Sequence, residues 1–118
     1  MIIANQILND YLECALWSTL TRNGSNLGDI YNISDISNET IEQCESDLEE
    51  FFELAGDLLT DLDLHQVVQD FWLTRNQHGA GFWDGDYDEY VGKQLTELAH
   101  TFGSIDLYEG YDELLYVA

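Results

Sequence analysis

The 118-residue sequence predicts a mostly helical α+β fold, with about four helices around one core and a C-terminal β-hairpin. Three observations carry that expectation. Apolar residues recur at helical spacing over four separate stretches. The C-terminal residues switch to alternation around a glycine-bearing turn. Finally, 45% of the residues are apolar and 13% aromatic, which separates this chain from disordered acidic tails despite a net charge of -21. No repeat, linker or low-complexity stretch divides it, so residues 1–118 read as a single acidic globular domain able to bury one modest core.

Residues 2–20 read as a helix that is apolar nearly all round. Ile3, Ile7, Tyr11, Cys14 and Ala15 share one side, Leu8, Leu12 and Leu16 extend it, and only Gln6, Asn9 and Glu13 form a polar strip. Such a helix belongs in the middle of a core. Residues 22–37 are turn-formers with isolated Leu27, Ile30, Tyr31 and Ile33, a loop expected to pack. Residues 38–59 form the clearest helix, with Ser37 or Asn38 as its N-cap and Glu39 and Glu42 placed favourably against the helix dipole. Its apolar arc runs through Ile41, Cys44, Leu48, Phe51, Phe52, Ala55, Leu58 and Leu59. Asp61 and Asp63 cap a third helix, about 62–75, that buries Leu64, Val67, Val68, Phe71 and Trp72. Gly79-Ala80-Gly81 breaks it, and Phe82-Trp83 return to the core. A fourth helix, about 87–102, opens at Asp84-Gly85-Asp86-Tyr87-Asp88-Glu89, presents Val91, Leu95, Leu98, Ala99 and Phe102, and ends at Gly103. Ile105, Leu107, Leu115 and Val117 alternate around Glu109-Gly110-Tyr111-Asp112 as the hairpin. A lone hairpin is marginal, so it must pack on the helices or find another strand.

Charge is the most informative property. Twenty-four Asp and Glu face only Arg22, Arg75 and Lys93. So much like charge makes the compact state repel itself and points to a strongly cationic partner. It also argues against direct binding of DNA, RNA or anionic membranes. Glu39, Glu42, Glu49, Glu50, Glu53 and Asp57 fall on one side of the second helix, and no Lys or Arg lies between residues 23 and 74. Eighteen helical steps of roughly 1.5 Å place these six carboxylates over about 27 Å, a negative charge roughly every 5 Å, near the phosphate spacing of about 3.4 Å along one DNA strand. Ordinary exposed helices pair Glu with Lys, whereas Glu49–Glu53 and Glu53–Asp57 are like-charge pairs that cost a few tenths of a kcal/mol each. A face kept only for solubility is the competing explanation. Asp84, Asp86 and Asp88 form a second acidic patch.

Other chemistries fare poorly. Read as a calcium loop from Asp84, the chain has Glu89 where glycine belongs and Leu95 where the bidentate acid belongs. His65, His78 and His100 lack zinc-ligand spacing. No nucleophile motif or phosphate loop is present, so neither an enzyme, a metal nor a cofactor is expected. Cys14 and Cys44 sit on apolar stripes and read as free thiols of a reducing compartment. Met1-Ile2-Ile3 lacks a signal-peptide start and no apolar run reaches membrane-spanning length, so the cytoplasm is expected.

The segment Phe71-Trp72-Leu73-Thr74-Arg75-Asn76-Gln77-His78-Gly79-Ala80-Gly81-Phe82-Trp83-Asp84 sets two aromatic pairs around a glycine turn, with Arg75 expected to pair with Asp70 or Asp84. This FWLTRNxHGAGFWD motif, with Asp106-Leu107-Tyr108-Glu109-Gly110 and Leu12-Glu13-Cys14-Ala15-Leu16-Trp17-Ser18, resembles a family of small acidic proteins of tailed phages and mobile elements. The resemblance covers most of the chain, implies a bacterial host cell, and carries over no catalytic residue.

Two functions are therefore expected. The first is a DNA-mimic inhibitor of anti-CRISPR or anti-restriction type, in which Glu39, Glu42, Glu49, Glu50, Glu53 and Asp57, with Asp84, Asp86 and Asp88, bind the basic nucleic-acid-binding surface of a host protein. CRISPR effectors, restriction enzymes, uracil-DNA glycosylase, nucleoid proteins and RNA polymerase are candidate targets. The second is an interaction module that uses the aromatic and glycine loop 75–83 or the hairpin edge, where a homodimer could also form, with acidity serving solubility alone.

Overall fold

The computed structural model describes residues 3–21, 23–77, 80–83 and 86–118. Helix α1 (Asn5–Ser18) buries Ile7, Leu8, Tyr11, Leu12, Ala15 and Leu16, and Gln6, Asn9 and Glu13 are exposed as their spacing requires. Two 3₁₀ turns, Leu27–Asp29 and Ile33–Asp35, follow. Leu27 and Ile36 anchor this loop in the core, whereas Ile30, expected to pack, is exposed.

Helix α2 (Asn38–Ala55) starts at Ser37, whose Oγ accepts a hydrogen bond from the Thr40 amide at 3.2 Å. It ends four residues before the expected boundary because Gly56 adopts φ 49° and a 3₁₀ turn, Gly56–Leu59, takes over. Leu58 and Leu59 keep the helical phase of the apolar pattern but pack from this turn, half-buried. Helix α3 (Leu64–Arg75) is capped by Asp63, whose carboxylate accepts from the His65 amide at 3.0 Å. Helix α4 (Glu89–Thr101) is capped by Asp88 and is followed by Phe102 and by Gly103 at φ 74°, the left-handed position the sequence reserves for glycine.

Strands β1 (Leu107–Glu109) and β2 (Leu115–Val117) pair antiparallel with Leu107 opposite Val117 and Glu109 opposite Leu115. The hairpin is not left alone. Leu107 and Leu115 are buried, and β2 bridges Ile36 on its other side, with the Ser37 amide donating to the Leu115 carbonyl at 2.9 Å. This tie fixes the hairpin against the start of α2.

Three of the four helices meet on an aromatic stack. Phe51 of α2 lies 4.1 Å from Phe71 of α3, near parallel at 17°, and Phe71 in turn stacks on Tyr11 of α1 at 5.7 Å. Phe82 completes the stack, 6.0 Å from Phe51, and is 1% exposed. Its neighbour Trp83 stays 46% exposed, so only half of the expected Phe82-Trp83 pair returns to the core. Rings at these separations add about 0.5–1.5 kcal/mol per pair beyond their area. Both cysteines are free thiols. Burial pushes Cys44 and Cys14 up to about 12, so both stay protonated and inert at neutral pH. Among the described residues, no helix is long and apolar enough to cross a membrane.

Candidate functional site

One helix carries most of the candidate site. With Cys44, Leu48, Phe51, Phe52 and Ala55 turned inward, Glu39, Glu42, Glu49, Glu50 and Glu53 fall in an arc of about 100° on the opposite side of α2. Glu39, Glu42, Glu50 and Glu53 are exposed and Glu49 is half-buried. Ser46, also exposed, sits among them, and α2 contains no Lys or Arg. Asp57 is exposed but lies in the turn after Gly56, so it is not the sixth member of a straight row. Glu53 and Asp57 therefore are not a helical i, i+4 pair. Five carboxylates over fourteen steps span about 21 Å, one charge every 5 Å or so.

The absence of counter-charge has a structural cause. Arg75, one of the chain's three cations, is spent inside. It is 3% exposed, and among the described residues its carboxylate partner is Asp47 rather than Asp70. Its Nη1 donates to Asp47 Oδ2 at 2.9 Å and to the Tyr11 hydroxyl at 3.1 Å, Nη2 to the Phe102 carbonyl at 3.0 Å, and Nε to the Gly103 carbonyl at 2.9 Å. The guanidinium carbon also lies 5.3 Å from the Phe71 ring centre and 5.7 Å from that of Phe102. Burial works against its charge, but Tyr11 and Asp47 hold its pKa above the usual value. Asp70 instead accepts from the Tyr87 hydroxyl, and Asp84 lies outside the described residues. One Arg thus ties α1, α2, α3 and the end of α4 together. Arg22 is also outside the described residues, and Lys93 is exposed on α4.

The second patch is only partly a patch. Asp86 and Asp88 are exposed. Gln66 Nε2 reaches Asp86 at 3.4 Å, and the Asp88 carboxylate accepts from the amides of Tyr90 and Val91 at 3.1 and 3.3 Å. Asp88 therefore serves first as the N-cap of α4, with its charge compensated by the helix dipole.

The fold also assembles acids that pattern reasoning passed over. Tyr31 donates to Glu109 at 2.6 Å, and this bond, with the nearby charges of Glu113 and Asp35, raises its pKa. Tyr116 is raised by its hydrogen bond to Asp112, with Glu39 among the charges it feels. Glu109, Glu113 and Asp35 thus gather around Tyr31, and Asp112 and Glu39 both act on Tyr116, near where the hairpin is tied to the N-terminus of α2. In the sequence the hairpin acids read as turn-formers. The Ile36–Leu115 bridge brings them near the start of α2.

Among the described residues, no cluster of three or more His, Cys, Asp or Glu is arranged to hold a metal ion. No family model, curated protein or solved structure matches the chain.

Proposed function

We propose that the protein is an acidic inhibitor that imitates DNA and occupies the basic nucleic-acid-binding surface of a host defence or DNA-processing protein, of anti-CRISPR or anti-restriction type. The observation that carries this reading is the face of α2: Glu39, Glu42, Glu49, Glu50 and Glu53 on one side of a capped helix, with no cation among them. The aromatic stack beneath holds that helix rigid, so the charges meet a partner already ordered and little entropy is lost on binding. The acids at the hairpin add negative charge near the N-terminal end of α2. Mutual attraction of oppositely charged surfaces speeds encounter, and close charge pairs set the lifetime of the complex. The setting implied by the sequence resemblance, a phage or mobile element inside a bacterial cell, supplies such targets.

The test is displacement of labelled duplex DNA from a panel comprising restriction enzymes, CRISPR effectors, uracil-DNA glycosylase, nucleoid proteins and RNA polymerase. The expected result is competitive displacement from at least one member, abolished by Glu49→Lys, Glu50→Lys and Glu53→Lys together. Displacement from none, or displacement indifferent to those reversals, would overturn the reading.

A further inference from the structure

A groove of about 510 Å³ lies between α4 and the residues Phe82, Trp83 and Tyr87. That size lies within the range of about 300–1,000 Å³ typical of ligand pockets. Trp83 and Tyr87 supply the aromatic side chains, the Phe82 ring being 1% exposed in the core stack, and Asp88, Glu89, Glu97 and Lys93 also line it. The groove is built rather than incidental. Gly92 lets α4 approach the loop so closely that a Cβ there would stand 2.7 Å from the Phe82 carbonyl oxygen. Tyr87 is pinned by its hydrogen bond to Asp70 and meets Phe82 edge-on at 5.3 Å. The Thr96 hydroxyl is turned back to its own helix, donating to the Gly92 carbonyl at 2.7 Å.

The geometry points to an arginine side chain of the partner as the occupant of this groove. The inference rests on the reading of a basic partner given above and adds a specific contact to it. Aromatic faces bordered by carboxylates suit a planar, weakly hydrated guanidinium, which stacks on rings and pairs with carboxylates at once. An aliphatic plug would strip water from three carboxylates with no return. A second copy of a chain bearing -21 would be repelled. The protein already holds one guanidinium by the same chemistry, since Arg75 lies against the Phe71 and Phe102 rings with Asp47 as its carboxylate. Lys93 is the one local cation among the lining residues and opposes the guest.

The test compares hexa-arginine with hexa-lysine, peptides of equal charge, over a salt series starting at an ionic strength of about 0.15 M. Affinities of all variants are measured by calorimetry, and for proteins that keep Trp83 its fluorescence is followed as well in a Trp17→Phe background, because Trp72 is buried and Trp17 is the other exposed indole. Hexa-arginine is expected to bind about fivefold more tightly and to change Trp83 emission. Trp83→Ala and Glu97→Gln each bring the two peptides to parity, and Lys93→Ala widens the gap. Trp83 and Glu97 are exposed, and circular dichroism of the variants confirms their fold. Glu49→Gln, Glu50→Gln and Glu53→Gln together weaken both peptides while preserving the ratio. Equal binding of the two peptides by the parent protein, or an arginine preference that survives Trp83→Ala, overturns the groove and leaves the α2 reading standing. Binding of both peptides without salt dependence overturns the α2 reading instead. Binding of neither overturns both.

Discussion

Asp47 and Glu50 stand one turn apart on α2 and live in opposite electrostatic worlds. Asp47, with its side chain 13% exposed, receives Arg75 on one oxygen and the Gln43 amide at 2.9 Å on the other. Glu50, on the exposed side, belongs to a row with no cation in it. The contrast teaches that this chain supplies a counter-charge where desolvation demands one and withholds it where water would screen the cost. A buried carboxylate without a partner threatens the fold, whereas an exposed one costs only a few tenths of a kcal/mol per like-charge neighbour. Folding therefore explains the Arg75–Asp47 pair and leaves the outer row unexplained, which is the ground on which we propose a partner for it rather than solubility alone.

The largest effect should come from the inner half of the comparison. Arg75→Ala strands Asp47, the Tyr11 hydroxyl and the carbonyls of Phe102 and Gly103 and should cost about 3–5 kcal/mol in urea titration. Arg75→Met combined with Asp47→Leu should recover much of that loss, because the stranded charge goes with its partner. A loss below about 1 kcal/mol for the single variant would mean that the pair is ornamental.

Alkaline pH probes the same region with no change in packing. The Cys44 thiol is pushed from 9.0 to about 12, by burial first and then by Asp47. Its folded pKa is raised, so its contribution to stability is complete below about pH 9 and is lost as pH climbs to about 12. Tyr11 and Tyr87, both raised chiefly by burial, act in the same direction. Thermal unfolding of the parent should therefore lose more stability between about pH 8 and about pH 11 than Cys44→Ala does. Equal losses would show that the thiol is not desolvated.

The smallest effect belongs to the outer row and has the opposite sign. Glu49→Gln, Glu50→Gln or Glu53→Gln should each stabilise the fold by a few tenths of a kcal/mol, and added salt should raise the melting temperature of the parent. Destabilisation by any of the three would mean that the row has hidden partners in the folded chain.

Much of this was legible in the sequence because caps and periodicity are local. Ser37, Asp63 and Asp88 or its neighbours mark helix starts, and the 3.6-residue spacing of Cys44, Leu48, Phe51 and Phe52 fixes which side of α2 faces water. What escaped was decided at a distance or by backbone geometry. Gly56 stops α2 at a point where the apolar pattern runs on through Leu58 and Leu59. Asp47 and Tyr11 are 28 and 64 residues from Arg75, so proximity in sequence favoured Asp70, which Tyr87 occupies. Trp83 has the same apolar character as Phe82, but only one of the two can enter the stack on Phe51. The hairpin acids come near the start of α2 through the Ile36–Leu115 bridge and the Ser37–Leu115 hydrogen bond, which no local pattern announces.

The central claim is that the outer face of α2 exists for a cationic surface and not for the fold. Its most direct test is the affinity of the parent and of the Glu49→Gln, Glu50→Gln, Glu53→Gln variant for the basic protein from which the parent displaces DNA, measured across a salt series. The account predicts a steep fall of parent affinity with salt, together with a variant that is at least as stable yet binds about tenfold or more weakly with a shallower slope. Identical affinities and slopes for the two proteins would contradict it.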